Sequence, residues 1–368
     1  MKKTLILALA LMMGASAFAQ FGGPRIPNFK STEVLGEGKV AFRIYAPEAK
    51  KVNVTGDLPY GKPIVFTKAE NGVWEAIAEG IEPGYYRYSF VVDGVTVYDP
   101  KAENASETKA VLKVEPKGDE FFAMRKDVEH GAIAQRYYWS DVTNSMRRMH
   151  VWTPAGYEKD CKKLPVFYLI HGGGDTDNSW PGVGAAGNIL DNLYAAGNLE
   201  PMIVVMPNGS IQTDTMEGEV PLFVKDLMTN IVPFVEKNYN VYTDAAHKAL
   251  GGLSMGGWET LNTMLEYYDQ FTYFYVFSSG WFPTDKALYE KNGKILKDIA
   301  KDFNKKVKYL LFTQGGPEDI AYNNCKAMLE QLFDPAGIKY EFSEGPGGHS
   351  WYTWRRDLNT FAPKLFRK

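Results

Sequence analysis

Residues 252–256 of this chain read GLSMG, a G-x-S-x-G pentapeptide, and they decide the expected fold. The residues before it, 248–253, have the pattern of a short apolar strand, and residues 257–268 have the pattern of a helix. A serine between a strand and a helix stands on a sharp turn that exposes its hydroxyl, and small neighbours let a substrate carbonyl approach. The pentapeptide therefore predicts a serine nucleophile at Ser254, provided that the other parts of a hydrolase surround it in order.

Length and composition indicate two globular domains without a nucleic-acid or membrane surface. The chain has 368 residues, of which 45% are hydrophobic, so it has enough apolar material for two cores. Its 41 basic and 44 acidic residues give a formal net charge of -3. This balance argues against a basic patch that would attract nucleic acids or anionic lipids.

The first 19 residues have the pattern of a secretory signal peptide. Lys2 and Lys3 give a positive start, an apolar stretch follows over residues 4–15, and residues 17–19 form an A-x-A cleavage sequence. The apolar stretch is too short to span a bilayer comfortably. We expect cleavage after Ala19 and a secreted or periplasmic mature chain without a membrane insertion.

Two cysteines, Cys161 and Cys325, would reach an oxidising compartment after export. A disulfide needs Cα atoms within bridging distance, and the sequence leaves that distance open. Two unpaired thiols are the favoured expectation.

The chain changes character near residue 128. Residues 28–114 look all-β, with alternating apolar residues at Val40, Phe42 and Ile44 and a hairpin turn at Asp93-Gly94, and they predict a small immunoglobulin-like sandwich. Residues 115–127 are expected to be a linker. From there to residue 368, apolar strands alternate with amphipathic helices, which predicts a mostly parallel central sheet and the α/β-hydrolase fold. The site of such a sheet lies at the carboxyl ends of its strands.

A serine hydroxyl needs a base and a third group that orients the base. His349 follows the last predicted strand in a glycine-rich loop, which gives its imidazole room to reach back over the sheet. An acid should precede it, and Asp319 is the preferred residue, with its neighbour Glu318 as the rival. The order Ser254, Asp319, His349 is that of α/β-hydrolases, and such a triad needs no metal and no cofactor.

Further residues complete the predicted site. The N–H groups of Met255, directly after the nucleophile, and Gly173, after the strand at 166–170, are the expected oxyanion-hole donors. Trp180 and Trp281 fall in loops at strand ends, where they are candidates to flank an acyl group or a sugar ring. His171 is expected to hold its loop through hydrogen bonds.

Several segments in order resemble the carbohydrate esterase family 1, which includes feruloyl esterases and acetyl xylan esterases, and the related enterochelin esterases. They are 128–131 (VEHG), 148–157 (RMHVWTPAGY), 171–175 (HGGGD), 202–209 (MIVVMPNG), 252–257 (GLSMGG), 347–351 (GGHSW) and 354–355 (WR). The resemblance covers roughly residues 128–368 and implies the same triad.

The N-terminal part resembles the carbohydrate-binding module family 48. The likeness lies in residues 72–75 (GVWE), 83–88 (PGYYRY), 92–94 (VDG) and 99–100 (DP). Trp74 and Tyr86 either bind glycan or fill the core of the sandwich, and packing is the favoured alternative.

The resemblance implies a secreted serine esterase that removes feruloyl, or less readily acetyl, groups from plant cell-wall xylan. Two alternatives stay open at this point. One is an esterase for a siderophore trilactone of the enterochelin type, and the other is a glycan-binding protein whose hydrolase domain has lost catalysis.

Overall fold

The computed structural model describes residues 26–59, 63–107, 109–117 and 120–367. The predicted signal peptide, residues 1–19, lies outside these residues. The chain folds into two compact units. The first comprises the described residues up to Glu82 together with Arg87–Leu112, and the second comprises Pro83–Tyr86 together with the chain from Lys113 onward.

The first unit is an all-β sandwich, as the sequence predicts. Its described strands form two four-stranded sheets, one in the order β1-β2-β5-β4 and one in which β6 pairs with β3, β7 and β8. The strands are β1 (Thr32–Gly36), β2 (Lys39–Tyr45), β3 (Val52–Gly56), β4 (Thr67–Lys68), β5 (Val73–Ala78), β6 (Gly84–Val92), β7 (Val95–Val97) and β8 (Ala110–Val114). Phe42, Tyr88 and Phe90 pack edge to face in the core.

The alternative roles of Trp74 and Tyr86 are resolved by burial. Both side chains are buried, and the indole N–H of Trp74 donates to the carbonyl of Ala46 at 2.9 Å. A ring that is turned inward offers no face for a sugar to stack on. Trp74 therefore has the packing role that the sequence favours, and Tyr86, which the division of the chain assigns to the second unit, is likewise buried.

The second unit is built on a sheet of eight described strands in the order β16-β15-β14-β13-β11-β12-β10-β9. The strands are β9 (Ala132–Ser140), β10 (Ser145–Thr153), β11 (Val166–Ile170), β12 (Ile203–Pro207), β13 (Lys248–Leu253), β14 (Tyr273–Phe277), β15 (Tyr309–Gln314) and β16 (Glu341–Glu344). The helices are α1 (Tyr157–Asp160), α2 (Ala186–Ala195), α3 (Met216–Asp226), α4 (Val232–Asn238), α5 (Met255–Tyr267), α6 (Lys286–Lys306), α7 (Tyr322–Met328), α8 (Asp334–Ala336) and α9 (Trp351–Phe361).

This sheet confirms the predicted fold class. Strands β12, β11, β13, β14, β15 and β16 are parallel, and β10 and β9 add an antiparallel edge. Residues 166–170 and 248–253 are buried along their whole length, which is the burial expected of central parallel strands covered on both faces. The carboxyl ends of the six parallel strands lie at one edge, and Ser254 directly follows β13 at that edge.

The sequence favours two unpaired cysteines and a mature chain without membrane insertion. Cys161 is exposed and Cys325 is buried, and both are free thiols. Among the described residues, none of the helices combines the length and the apolar character needed to cross a bilayer.

Candidate active site

Ser254 lies on a constrained turn between β13 and α5. Its φ is 51° and its ψ is -114°, a backbone conformation that side chains other than glycine rarely adopt. The Ser254 N–H donates to the carbonyl of Phe277 at 2.9 Å, and the Ser279 hydroxyl donates to the carbonyl of Ser254 at 2.7 Å. These bonds hold the turn in place, so that the local strain presents the hydroxyl at the sheet edge.

The glycines of the pentapeptide are needed for close backbone approach. A Cβ on Gly252 would lie 2.4 Å from backbone atoms of Gly256. A Cβ on Gly256 would in turn lie 2.4 Å from the carbonyl oxygen of His171. Only glycine fits at either position, and the turn therefore packs directly against the loop that follows β11.

The structure brings Ser254, His349 and Asp319 together in one hydrogen-bonded chain. The distance from Ser254 Oγ to His349 Nε2 is 2.9 Å, and that from His349 Nδ1 to Asp319 Oδ1 is 2.8 Å. With a proton on Nδ1 donated to the carboxylate, Nε2 is free to accept the serine proton. This is the arrangement of a nucleophile, a base and an orienting acid.

Asp319 rather than Glu318 reaches the histidine. Glu318 is exposed, whereas Asp319 is buried and accepts hydrogen bonds from the Ser278 hydroxyl at 2.5 Å and the Ala321 N–H at 2.9 Å. Burial alone raises the pKa of Asp319, but the bonds from His349, Ser278 and Ala321 outweigh burial and hold the pKa below its usual value. The carboxylate is therefore ionised and fixed in place at neutral pH.

The glycine loop after β11 lies beside the serine. The Asp175 N–H donates to the Gly172 carbonyl at 3.2 Å and closes a tight turn in which Gly174 has a φ of +75°. A Cβ on Gly172 would be 3.2 Å from Ser254 Cβ, and one on Gly173 would be 3.9 Å from Met255 Cβ. Gly173 and Met255, the two predicted oxyanion donors, are thus neighbours next to Ser254.

His171 holds this loop, as the sequence suggests. It is buried, its Nδ1 lies 2.8 Å from the Gly172 carbonyl, and its Nε2 accepts the Gly209 N–H at 2.9 Å. Because Nε2 accepts, the proton resides on Nδ1 and is donated to Gly172. The imidazole thereby joins the loop after β11 to the loop after β12.

This loop has a second anchor, which the sequence pattern does not reveal. Asp177 is buried and accepts two parallel bonds from Arg148, at 2.8 and 2.7 Å, and a third contact joins it to His150 Nδ1 at 2.7 Å. Arg148 and His150 belong to β10, so the carboxylate ties the segment between β11 and α2 to the neighbouring strand. His150 and Asp177 are 27 positions apart in the sequence, so no local pattern connects them.

Replacing Asp177 by alanine is expected to lower the free energy of unfolding by about 3–5 kcal/mol, because Arg148 and His150 lose a buried partner. Urea unfolding followed by tryptophan fluorescence measures the change. Asp160→Ala is the matched control, since that carboxylate is 56% exposed and pairs with the exposed Lys162; about 1 kcal/mol or less is expected there. Equal effects of the two substitutions would contradict the anchoring role.

The same ion pair makes a pH prediction. Burial by itself raises the pKa of Asp177, but the hydrogen bonds from His150 and Arg148 have the larger, opposite effect. The net result is that the pKa falls from 3.8 to about 2. A depressed folded-state pKa contributes stability above the unfolded value that is lost as pH falls towards the folded value. The stability gap between wild type and Asp177→Ala should therefore shrink between about pH 4 and about pH 2. A gap that stays constant over this range in thermal melts would contradict the assignment.

The predicted substrate contacts of Trp180 and Trp281 are wrong. Trp180 is 1% exposed and donates its indole N–H to the Ile170 carbonyl at 3.0 Å. Trp281 is fully buried and stacks near Phe333 in the core. Both loops turn these large rings inward, where they fill volume beneath the site rather than face a ligand.

Phe282 is the aromatic residue that the loop after β14 exposes instead. Its side chain is 45% exposed, and the centroids of its ring and the Trp258 ring are 5.5 Å apart in an edge-to-face arrangement. The N–H of Trp258 donates to the carbonyl of Ser254 at 3.1 Å in the first turn of α5, so the Trp258 backbone lies one helical turn from the serine. The sequence signal was available, because Phe282 directly follows Trp281, but sequence alone does not show which of two adjacent rings points outward.

Comparisons with known proteins identify the family of the chain. The Esterase family model matches residues 140–365, and the model for Carbohydrate-binding module 48 (Isoamylase N-terminal domain) matches residues 28–109. An endo-1,4-beta-xylanase/feruloyl esterase of Xylanibacter ruminicola is 35% identical over 93% of this chain and 46% of its own length. Endo-1,4-beta-xylanase Y of Acetivibrio thermocellus is 29% identical over 70% of this chain and 25% of its own length. The chain thus spans half or less of these relatives.

Solved structures show the same fold. The feruloyl esterase module from Clostridium thermocellum, in a mutant complexed with sinapinate, has a TM-score of 0.57 and 27% identity over 73% of this chain and 97% of that chain. The enterobactin esterase from Shigella flexneri, in the presence of enterobactin, has a TM-score of 0.63 over 91% of this chain and 95% of that chain, and at 17% identity it shows the fold alone. The chain belongs to the Esterase family and has the α/β-hydrolase fold that its sequence predicts.

Proposed function

We propose that this chain is a secreted serine esterase that hydrolyses feruloyl, or less readily acetyl, esters on plant cell-wall xylan. The observation that carries the proposal is the hydrogen-bonded chain from Ser254 through His349 to Asp319 at the carboxyl edge of the sheet. The relatives named as xylanase/feruloyl esterase and feruloyl esterase module support the choice of substrate. The predicted signal peptide supports export.

The geometry supports a two-step acyl transfer. Ser254 Oγ attacks the ester carbonyl while His349 Nε2 accepts its proton, and Asp319 stabilises the imidazolium that forms. The Gly173 and Met255 N–H groups donate to the negative oxygen of the tetrahedral intermediate. The intermediate then collapses: the bond between the acyl carbon and the sugar oxygen breaks, His349 gives its proton to that oxygen, and the acyl group stays on Ser254. Water attacks this acyl-enzyme and gives a proton to His349, which returns it to Ser254 Oγ as the acyl bond breaks, so that the carboxylic acid and free serine result.

Activity measurements on four substrates test the proposal. Wild type should hydrolyse methyl ferulate and release ferulate from feruloylated xylan faster than it releases acetate from acetylated xylan or opens a catecholate trilactone. Faster turnover of the trilactone would replace xylan esters by a siderophore as substrate. No hydrolysis of any substrate, with no burst on a nitrophenyl ester, would instead support a catalytically silent glycan-binding protein.

Phe282 offers a test of acyl preference. Its exposed ring follows β14 at the carboxyl edge of the sheet and packs against Trp258, which supports a contact with the planar aromatic group of a feruloyl ester. Phe282→Ala is expected to raise KM for methyl ferulate about tenfold, equivalent to about 1.4 kcal/mol, because a stacking surface is lost. Turnover of a nitrophenyl acetate, which has a small acyl group, should change less than twofold. Equal losses on both esters would show that the ring does not recognise the acyl group.

A further inference from the structure

An exposed aromatic face lies on the β9–β10 ribbon of the second unit. Tyr137 is 57% exposed and Trp139 is 51% exposed, and they stand two residues apart on β9, which places both side chains on the same face of the sheet. Across the ribbon, Met146 pairs with Trp139 and Arg148 pairs with Tyr137. Met146 is 58% exposed, so the three side chains form one continuous apolar patch, here called the ribbon platform.

The ribbon platform lies at the catalytic edge of the sheet. Strand β10 is antiparallel to β12, with Met149 opposite Pro207 at the carboxyl end of β12. Met146 and its partner Trp139 therefore lie beyond that end, at the edge where the parallel strands stop. Strands β11, β12 and β10 lie between β9 and β13, the strand that precedes the serine. At the usual spacing between strands, the distance from β9 to β13 is about 19 Å.

The platform is continuous with the oxyanion loop. Arg148, which lies beside Tyr137 on this face, forms the bidentate pair with Asp177. Asp177 belongs to the loop that carries Gly173, and this loop packs against Ser254. The partly buried Arg148–Asp177 pair and the glycine loop therefore connect the strand that carries the platform to the loop beside the nucleophile.

The chemistry of the platform suits a neutral glycan. Its rings carry polar groups at their edges, since Gln135 donates to the Tyr137 hydroxyl at 2.8 Å and the Trp139 indole N–H donates to Asp141 at 3.0 Å. The charge of Arg148 is balanced by Asp177, so the face offers no excess cation for an acidic polymer. Sugars of a xylan-type chain have apolar ring faces and hydroxyl rims, the combination that exposed Tyr and Trp side chains accommodate.

We infer that the ribbon platform binds the polysaccharide backbone of the substrate several sugars away from the ester being cleaved. This inference rests on the proposed function, because it assigns the platform to the same polymeric substrate. The platform contributes nothing to the acyl group or to the reacting atoms. Its effect should therefore appear only with substrates long enough to reach β9.

The test compares a small ester with a polymer in the full-length protein. Tyr137→Ala/Trp139→Ala should lower kcat/KM on feruloylated xylan about fivefold or more and leave kcat/KM on methyl ferulate within about twofold, since only the polymer contacts the rings. Tyr137→Phe/Trp139→Phe keeps both ring faces and should retain most of the activity on polymer. Met124→Ala removes an apolar side chain that is 70% exposed elsewhere in this unit and should change neither substrate.

Three outcomes would overturn the inference. Unchanged turnover of the polymer by the double alanine variant would show that the rings do not bind it, and equal losses on methyl ferulate and polymer would show a structural role. Affinity electrophoresis in gels containing de-esterified xylan separates this question from the reaction. Retardation should fall in the double variant and persist in Met124→Ala, even if wild type hydrolyses neither ester and the proposed function fails. Retardation unchanged in the double variant would contradict the inference.

Discussion

Ser254→Ala is expected to lower kcat for ester hydrolysis by about 10⁶-fold, because the substitution removes the nucleophile on which both steps depend. KM should change little, since the acyl and sugar contacts remain. The assay is ferulate release from methyl ferulate, with enough enzyme to detect residual catalysis from the oxyanion donors alone. His349→Ala should cost about as much, because serine and histidine act as one unit.

The control for this substitution is Ser343→Ala. Ser343 is an exposed serine on β16, the edge strand of the same sheet, so the chemical change is identical and the site is not touched. Its activity should equal that of wild type. Activity of Ser254→Ala within about tenfold of wild type would rule out a covalent serine mechanism at this position.

Asp319→Asn is expected to lower kcat by about 10⁴-fold with the fold intact. The carboxylate accepts bonds from His349, Ser278 and Ala321, and an amide in its place presents an N–H to one of these donors. The imidazole would then favour the tautomer with a proton on Nε2, which cannot accept the proton of Ser254. Circular dichroism checks the fold, and single-turnover assays check the chemical step.

Glu318→Gln is the matched control for Asp319→Asn. It makes the same carboxylate-to-amide change one residue earlier, on an exposed side chain, and should alter kcat less than twofold. The opposite ranking, with Glu318→Gln the more damaging substitution, would show that the acid is assigned to the wrong residue. The pair of variants thus tests a choice that spacing in the sequence leaves open.

The serine turn and the order of the loops around it were predictable because they follow from local rules. Glycine at 252 and 256 permits backbone contacts that no other residue allows, and the alternation of apolar strands with helices sets the sheet around them. The choice between Asp319 and Glu318 was not local. It depends on a turn in which the Asp319 N–H donates to the Gly316 carbonyl at 2.8 Å, which directs one carboxylate inward and leaves the other exposed.

Strand β9 shows how tertiary context escapes a sequence pattern. Tyr137, Tyr138 and Trp139 are three aromatic residues in a row, so hydrophobicity does not alternate there, although burial alternates over residues 136–140 of β9. Tyr138 faces inward and donates to buried Asp226 at 2.7 Å, whereas its two neighbours face outward. The burial of Trp180 and Trp281 has the same cause, because the packing of loops against the core decides which large ring is covered.

Covalent trapping tests directly whether Ser254 is the nucleophile of acyl transfer. Wild-type protein is treated with a fluorophosphonate until inactive, digested, and the modified peptide is located by mass spectrometry. We expect one phosphonyl group per chain, on Ser254, with loss of activity in step with labelling and no labelling of this peptide in His349→Ala on the same timescale. Complete inactivation with the label on any other residue, or full activity with Ser254 labelled, would contradict this expectation.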